Sequence, residues 1–196
     1  HSQYSKDTMI LVLLSNPDNE TITLDKDQTL ILNEFLSVDK LKLVIHAGPG
    51  AGKTTLLTHL ISHSIKSNKI KRILFLVYTK SAKKIIENKL KILLLKLDNK
   101  NNISTINSDK QQIFVLTMDE YSCKRLYNKW SPDSDFNINE NNTYRDTFLK
   151  GVNKGIQHWE KYDMVCIDEA QDVTALYEKF VKQIEDTTNR MIFAGD

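Results

Sequence analysis

The sequence predicts a doubly wound α/β domain, a mostly parallel sheet with helices on both faces. Three observations carry that expectation. Five short runs are apolar on both alternating faces, as strands covered from both sides must be. They are "KLVIHA" (Lys42–Ala47), "ILFLVY" (Ile73–Tyr78), "IFVLT" (Ile113–Thr117), "MVCIDE" (Met164–Glu169) and "MIFAGD" (Met191–Asp196). Between them lie segments whose apolar residues return at helical spacing. A glycine-rich turn joins the first of these strands to the helix behind it.

Taken in chain order, residues 1–20 form an N-terminal extension with no assignable role. Its apolar run, "TMILVLLS" (Thr8–Ser15), is one strand long. It lacks the basic flank and small-residue cleavage site of a secretion signal. No run reaches membrane-spanning length, so an intracellular protein of cytoplasm or nucleus is expected. The domain proper is placed at 21–196. Residues 53–66 carry Leu56, Leu57, Leu60 and Ile61 on one helical face. Residues 80–97 carry Ala82, Ile85, Ile86, Leu90, Leu93, Leu94 and Leu97, with lysines opposite. Residues 173–186 carry Val173, Leu176, Tyr177, Phe180, Val181 and Ile184. Two polar, asparagine-rich stretches, 98–111 and 131–143, break the alternation as loops. A short helix is expected within 144–159, which makes about 131–162 an insertion. The chain opens on His1-Ser2 and stops at Asp196 directly behind a strand, which suggests a piece of a longer protein.

With 196 residues, 40% of them apolar, the chain can bury a core without staples. Its net charge of +2 is nearly balanced, and argues neither for nor against a nucleic-acid partner. Cys123 and Cys166 lack metal-ligand spacing and cannot form a disulfide framework, so both are expected as buried, reduced thiols. The five histidines show no ligand spacing either. His46, on a buried strand, is expected in the core, and Trp130 and Trp159 are expected to be packing residues.

The strongest chemical signal is the run Ala47-Gly48-Pro49-Gly50-Ala51-Gly52-Lys53-Thr54. Gripping phosphates requires several backbone N–H groups turned inward, hence positive φ at one or two positions. Gly48, Gly50 and Gly52 can supply it. Gly52 also stands where a side chain would meet phosphate at the start of a helix. Lys53 is placed to reach the terminal phosphates and the Thr54 hydroxyl to hold Mg²⁺, with Pro49, Ala51 and Thr55 completing the loop. The general pattern opens on glycine where this chain has Ala47. As the last residue of a strand, Ala47 can stay extended, and a methyl group fits. A chance glycine-rich turn is the plain alternative. Against it, the strand before and the amphipathic helix after both lie where phosphate binding needs them.

The second signal is "MVCIDEAQD" (Met164–Asp172), a buried strand ending in two carboxylates. A strand ending in solvated acids is common by itself, but this one accompanies a phosphate loop. Asp168 would then coordinate Mg²⁺, and Glu169 would take the proton of an attacking water. The implied reaction is nucleoside triphosphate hydrolysis.

Together these residues resemble the first RecA-like lobe of UvrD/Rep-type superfamily 1A helicases, a P-loop NTPase fold. That family typically opens its phosphate loop with alanine, as at Ala47, and its second motif reads Asp-Glu-x-Gln-Asp, as at Asp168–Asp172. "LDKDQ" (Leu24–Gln28) is similar to the family's glutamine motif, which implies adenine recognition by Gln28; a polar helix start is the other reading. "FLVYTKSAKK" (Phe75–Lys84) resembles the motif lying along single-stranded nucleic acid, which implies contacts from Tyr78, Thr79 and Lys80. "LTMDEYSCKRL" (Leu116–Leu126) resembles the Thr-Phe-His motif and implies a contact from Thr117, with Met118 and Asp119 where Phe and His are usual. "FAGD" (Phe193–Asp196) is similar to the start of the third motif.

The resemblance runs over 21–196. It implies ATP and Mg²⁺ as cofactors, Lys53, Glu169 and Gln171 as the catalytic and coupling residues, and single-stranded DNA, or RNA, as partner, with no membrane. Two departures stand out. Thr117 and Asp168 are too close in sequence to enclose the family's large helical subdomain. The second RecA-like lobe, with its arginine fingers, falls outside this chain, so slow hydrolysis is expected of the lobe alone.

Apart from the resemblance, little speaks for nucleic acid. Lys80, Lys83, Lys84, Lys89, Lys91, Lys96 and Lys100 fall on one helix, most simply as a solvated face. Lys80, Lys83 and Lys84, however, open that helix at the carboxyl edge of the sheet, where ligands of such folds bind. Tyr78 and Tyr121 nearby suggest a stacking surface. Two other readings stay open: a nucleotide switch acting on a protein partner without unwinding, and a structural domain with a vestigial site.

Overall fold

The computed structural model describes residues 8–13, 25–37, 41–48, 51–66, 70–101, 107–108, 111–127, 153, 160–172 and 175–195. The elements follow in the order β1 (Thr8–Leu13), α1 (Lys26–Ser37), β2 (Leu41–Ala47), α2 (Lys53–Lys66), β3 (Arg72–Val77) and α3 (Lys80–Asn101). Then come β4 (Asn107–Ser108), β5 (Gln111–Thr117), α4 (Met118–Tyr127), β6 (Met164–Ile167), a 3₁₀ turn (Ala170–Asp172), α5 (Ala175–Thr187) and β7 (Arg190–Gly195). The strands form one sheet in the order β1-β2-β7-β6-β3-β5-β4. Six of them are parallel, and only the two-residue β4 runs antiparallel, against β5. The expected fold class is therefore found: a parallel α/β sheet clothed on both faces.

Alternation along each strand divides the core between those faces. In β6, Met164 and Cys166 join Leu43, Ile45, Phe75 and Ile192 beneath α1, α2 and α3. Val165 and Ile167 join Leu74, Leu76 and Met191 beneath α4 and α5. Burial on both sides is why these strands carry continuous apolar runs instead of an alternating pattern. Cys166 is buried as expected, and burial first, then the Asp168 charge, pushes its thiol well above the ordinary range.

Side-chain caps start three of the helices. Asp25 Oδ1 accepts from Gln28 N at 2.7 Å while Gln28 Oε1 accepts from Asp25 N at 3.0 Å, a reciprocal box at the head of α1. Thr117 and Glu120 form the same box on α4: Glu120 N donates to Thr117 Oγ1 at 3.1 Å, and Thr117 N to Glu120 Oε2 at 2.9 Å. Thr79 caps α3, its hydroxyl accepting from Ala82 N at 3.1 Å. Thr79→Ala and Thr117→Ala should each lower stability by about 1 kcal/mol, the usual worth of an N-cap, read from urea midpoints. A loss near zero would mean that these hydroxyls are not capping.

Several expectations need correction. The N-terminal extension contains β1, which pairs in parallel with β2 from Thr8↔Lys42 to Leu13↔Ala47. It is an edge strand, with Leu11 buried but Ile10 and Val12 exposed by 42% and 52%. The stretch 98–111 is not all loop: α3 runs on to Asn101, and β4 begins at Asn107. His46 is only partly buried, not in the core, although its strand is paired on both sides. Helix α4 was not anticipated, and α1 only through the polar helix start offered as the other reading of Leu24–Gln28. Trp130, Trp159, the 131–143 stretch and the helix expected within 144–159 lie outside the described residues, save Asn153, as does the side chain of Cys123.

At the amino edge, a cationic and aromatic cluster ties β3, α4 and the approach to β6 together. Arg125 is 2% exposed and pairs with Glu160 at 3.1 Å, with its guanidinium over the Tyr121 ring. Arg72 also reaches Glu160 at 3.1 Å and lies over both the Phe114 and the Tyr162 rings, which meet each other edge-on. Burial raises the Glu160 carboxyl, but the Arg125 hydrogen bond and charge, the Tyr162 hydroxyl and the Arg72 charge outweigh it, and it titrates low. Burial, then the Glu160 charge, pushes the Tyr162 hydroxyl up to about 12. At the opposite edge, burial likewise raises Glu120, but the Thr117 N–H and the Lys83 ammonium win and its carboxyl also titrates low.

A carboxylate whose pKa is depressed by folding contributes stability above its unfolded value and loses it as pH falls through the folded one. The urea midpoint should therefore drop as pH falls below about 4.5, the ordinary value for glutamate. In Glu120→Gln/Glu160→Gln the drop should be shallower, and an unchanged slope would count against both pairings.

Candidate active site

The glycine-rich loop joins β2 to α2 at the carboxyl edge of the sheet. Ala47 is the last residue of β2 and 2% exposed, so its methyl group is packed, as an extended strand end permits. Ala51 N donates to Gly48 O at 3.1 Å, which turns the loop over, and Ala51 is itself buried. Gly52 takes φ 82°, the left-handed conformation open to glycine without strain, and Leu56 N then donates to Gly52 O at 2.9 Å to begin α2. Pro49 and Gly50 lie outside the described residues. Lys53, Thr54 and Thr55 fill the first turn of α2, all partly buried.

In the sheet, β7 separates the end of β2 from the end of β6. Lys53 bridges that gap, its Nζ 2.8 Å from Glu169 Oε1 and 3.6 Å from Asp168 Oδ1. Thr54 Oγ1 donates to Asp168 Oδ2 at 3.3 Å. The two sequence motifs, more than a hundred residues apart, thus form one cluster. Gly195, the last residue of β7, lies between them with no side chain. A Cβ there would collide with Gln171 Oε1 and come within 3.2 Å of the Ala170 and Gln171 amides.

The two carboxylates are held differently. Asp168 is 6% exposed, and burial pushes its pKa up against the opposing Lys53 charge and the Glu169 N–H. Burial pushes Glu169 up as well, but the hydrogen bonds from Lys53 and Gln171 and the Lys53 charge outweigh it, so its pKa is lowered. The distances agree, since the ammonium lies closer to Glu169. Glu169 also takes φ 53°, a left-handed conformation that costs a non-glycine residue about 1–3 kcal/mol. That turn lets Glu169 N donate to Asp168 Oδ1 at 2.9 Å and aims its side chain at Lys53. Gln171 Nε2 donates to Glu169 Oε2, fixing it from the other side. The Asp172 side chain lies outside the described residues, as does Asp196.

Among the described residues, no group of three or more His, Cys, Asp or Glu could hold a metal alone. Mg²⁺ asks for less: one or two protein oxygens, with phosphate and water completing its shell. The facing hydroxyl and carboxylate of Thr54 and Asp168 fit that requirement.

Gln28 stands near the loop, since its Nε2 donates at 2.7 Å to the carbonyl of Val12, and Val12 pairs with His46. The four residues expected along nucleic acid are also brought to the carboxyl edge. Val77 pairs with Thr117, so Tyr78, Thr79 and Lys80 follow β3 just where β5 ends. Two of them have structural work as well, Thr79 and Thr117 being the caps described above. Tyr78 meets Tyr177 of α5 edge-on at 6.3 Å, and Lys80 is exposed. Tyr121 cannot be a stacking surface: it is 1% exposed, packed against Phe180 and Tyr162 in the core. Met118 is buried too, which is why an apolar residue suits that position.

Sequence reasoning missed two pairings at this edge. Lys83 Nζ contacts Glu120 Oε2 at 3.0 Å, and Tyr177 donates to Asp119 Oδ1 at 2.6 Å. The Thr117-x-x-Glu120 spacing was the available signal for the first, because it marks a capping box that presents Glu120 toward α3. The second joins elements far apart in sequence, and no local pattern shows it.

Among the described residues, no helix is long and apolar enough to cross a membrane. No curated protein matches the chain. The sequence profile described as "AAA domain" matches residues 28–196, from Gln28 through the phosphate loop and the Asp-Glu strand to the end of β7 and beyond. With that match over well more than half of its length and with Lys53, Thr54, Asp168 and Glu169 gathered at one sheet edge, the chain belongs to the AAA domain family and carries a P-loop ATPase domain.

Proposed function

We propose that this domain is the ATP-hydrolysing N-terminal lobe of a superfamily 1 helicase or translocase acting on single-stranded nucleic acid, DNA first and RNA second. The observation that carries the proposal is a shared edge. β6 ends in Asp168 and Glu169, and the neighbouring β3 and β5 end in Tyr78–Lys80 and Thr117. Adjacent parallel strands lie about 4.8 Å apart, so a residue sensing nucleotide and one reaching a polymer are one or two strands apart. The "DEAQD" string and the alanine-led phosphate loop add the resemblance to UvrD/Rep-type proteins.

The residues divide the work as follows. Loop amides and Lys53 bind the β- and γ-phosphates, which draws Lys53 away from Glu169. Glu169, still held by Gln171, then faces the attacking water and takes its proton. Mg²⁺ held by Thr54 and Asp168 would offset the charge developing on the phosphate oxygens. Gln171 lies against the end of β7, so a shift of Glu169 is felt along the same sheet edge. A second RecA-like lobe would supply an arginine, worth about 10³–10⁵ in turnover for related chemistry.

The test is steady-state ATP hydrolysis by the longest natural chain containing this domain, with and without single-stranded DNA or RNA. Strong stimulation by one polymer is expected. Turnover indifferent to both would contradict the proposal and favour a nucleotide switch for a protein partner.

A further inference from the structure

The edge strand β1 lies outside the segment that matches the family profile, yet it is bonded to a residue of the nucleotide site. We infer that β1 is a specificity element, whose Val12 carbonyl, together with the Asp25 N–H, holds the Gln28 amide in the one orientation that accepts adenine. This rests on the reading of the loop as an ATP site.

The two ends of the amide are each used once. Oε1 accepts from Asp25 N at 3.0 Å, and Nε2 donates to Val12 O at 2.7 Å. A glutamine amide has a second lone pair and a second N–H. Among the described residues, neither takes a further partner. Side by side, one acceptor and one donor match the amino group and ring nitrogen on the N6/N7 edge of adenine. Guanine offers two acceptors there, so the amide oxygen would face another oxygen. A freely rotating amide could present either hand. Here a flip would set oxygen against the Val12 carbonyl and the amino group against the Asp25 N–H, turning two hydrogen bonds into two like-pole contacts.

Core packing keeps the two anchors together. Leu11, next to Val12, is 1% exposed and lies in the same cluster as Leu32 and Phe35 of α1, the helix that carries Gln28. The register places Val12 opposite His46 and Leu13 opposite Ala47, so the amide is held beside the strand end that opens the phosphate loop.

The experiment compares equilibrium affinities for ATP, GTP and tripolyphosphate in three proteins: the full chain, Leu11→Ala, and the chain lacking residues 1–13. The full chain should prefer ATP to GTP by about tenfold or more, the size of one well-set base contact. Both variants should bring that ratio to within about threefold of unity while tripolyphosphate affinity holds, since the loop is untouched. Leu11→Ala, the milder change, carries the test if the deletion does not fold. A variant that keeps the full ATP/GTP ratio would overturn the role of β1 and leave the ATP site standing. Equal ATP and GTP affinity in the full chain would overturn adenine reading by Gln28. Failure of the full chain to bind tripolyphosphate would overturn the site itself.

Discussion

Glu169→Gln should lower ATP turnover by about 10²–10⁴-fold, the usual contribution of a positioned general base, while ATP still binds. Three features of the residue support so large an effect. Its backbone is held in a strained left-handed turn, Lys53 and Gln171 fix its two carboxylate oxygens, and its pKa is lowered so that it is ionised at neutral pH. The amide is nearly the same size, can accept through its one oxygen from Lys53 or from Gln171, and cannot take a proton from water. Turnover should therefore fall far more than stability, since the urea midpoint loses only the carboxylate charge of the Lys53 pairing. Single-turnover hydrolysis of bound ATP separates the two quantities, and a variant within threefold of wild type would remove Glu169 from the role of base.

Lys53→Met should weaken ATP binding by about 10–100-fold, since a charge-assisted hydrogen bond to phosphate is worth about 1.5–3 kcal/mol. The same change should alter stability in a pH-dependent way. Without the ammonium, Asp168 stays buried beside Glu169, and both carboxylates lose their ion pair with Lys53. A carboxyl whose pKa is raised by folding destabilises the fold while ionised, and that penalty eases as pH falls through the raised value. Glu169 has the opposite sign in wild type, contributing above its ordinary range and less below it. Both effects make the deficit of Lys53→Met largest near neutral pH and smaller in mild acid. Urea midpoints at the two conditions show it. An equal deficit at both would mean that the lysine acts through packing alone.

Much of this was legible in the sequence because the signals were local or periodic. Residues 53–66 became α2 with those bounds, since an apolar stripe follows directly on a glycine that can start a helix. The five buried strands were found within a residue or two. The loop and the Asp-Glu strand could be joined across more than a hundred residues because phosphate chemistry requires both. What stayed hidden depended on tertiary partners. β1 has the composition of a buried strand, but only its pairing with β2 shows that it closes the sheet edge and anchors Gln28. Tyr121 has the composition of a stacking residue, yet α4 turns it inward against Phe180. Thr79 and Thr117 were read for a ligand, and the structure gives both hydroxyls to helix caps. The 131–143 stretch gave no element because its polar, asparagine-rich composition has no period from which to infer a face.

The Mg·ATP site proposed at the end of β2 and β6 is tested most directly by the affinity of the chain for ATP with and without Mg²⁺, measured by titration calorimetry. If Thr54 and Asp168 hold the ion, Mg²⁺ should tighten binding by about tenfold or more, and Asp168→Asn should lose most of that gain. ATP affinity identical with and without Mg²⁺, or no ATP binding at all, would contradict the site.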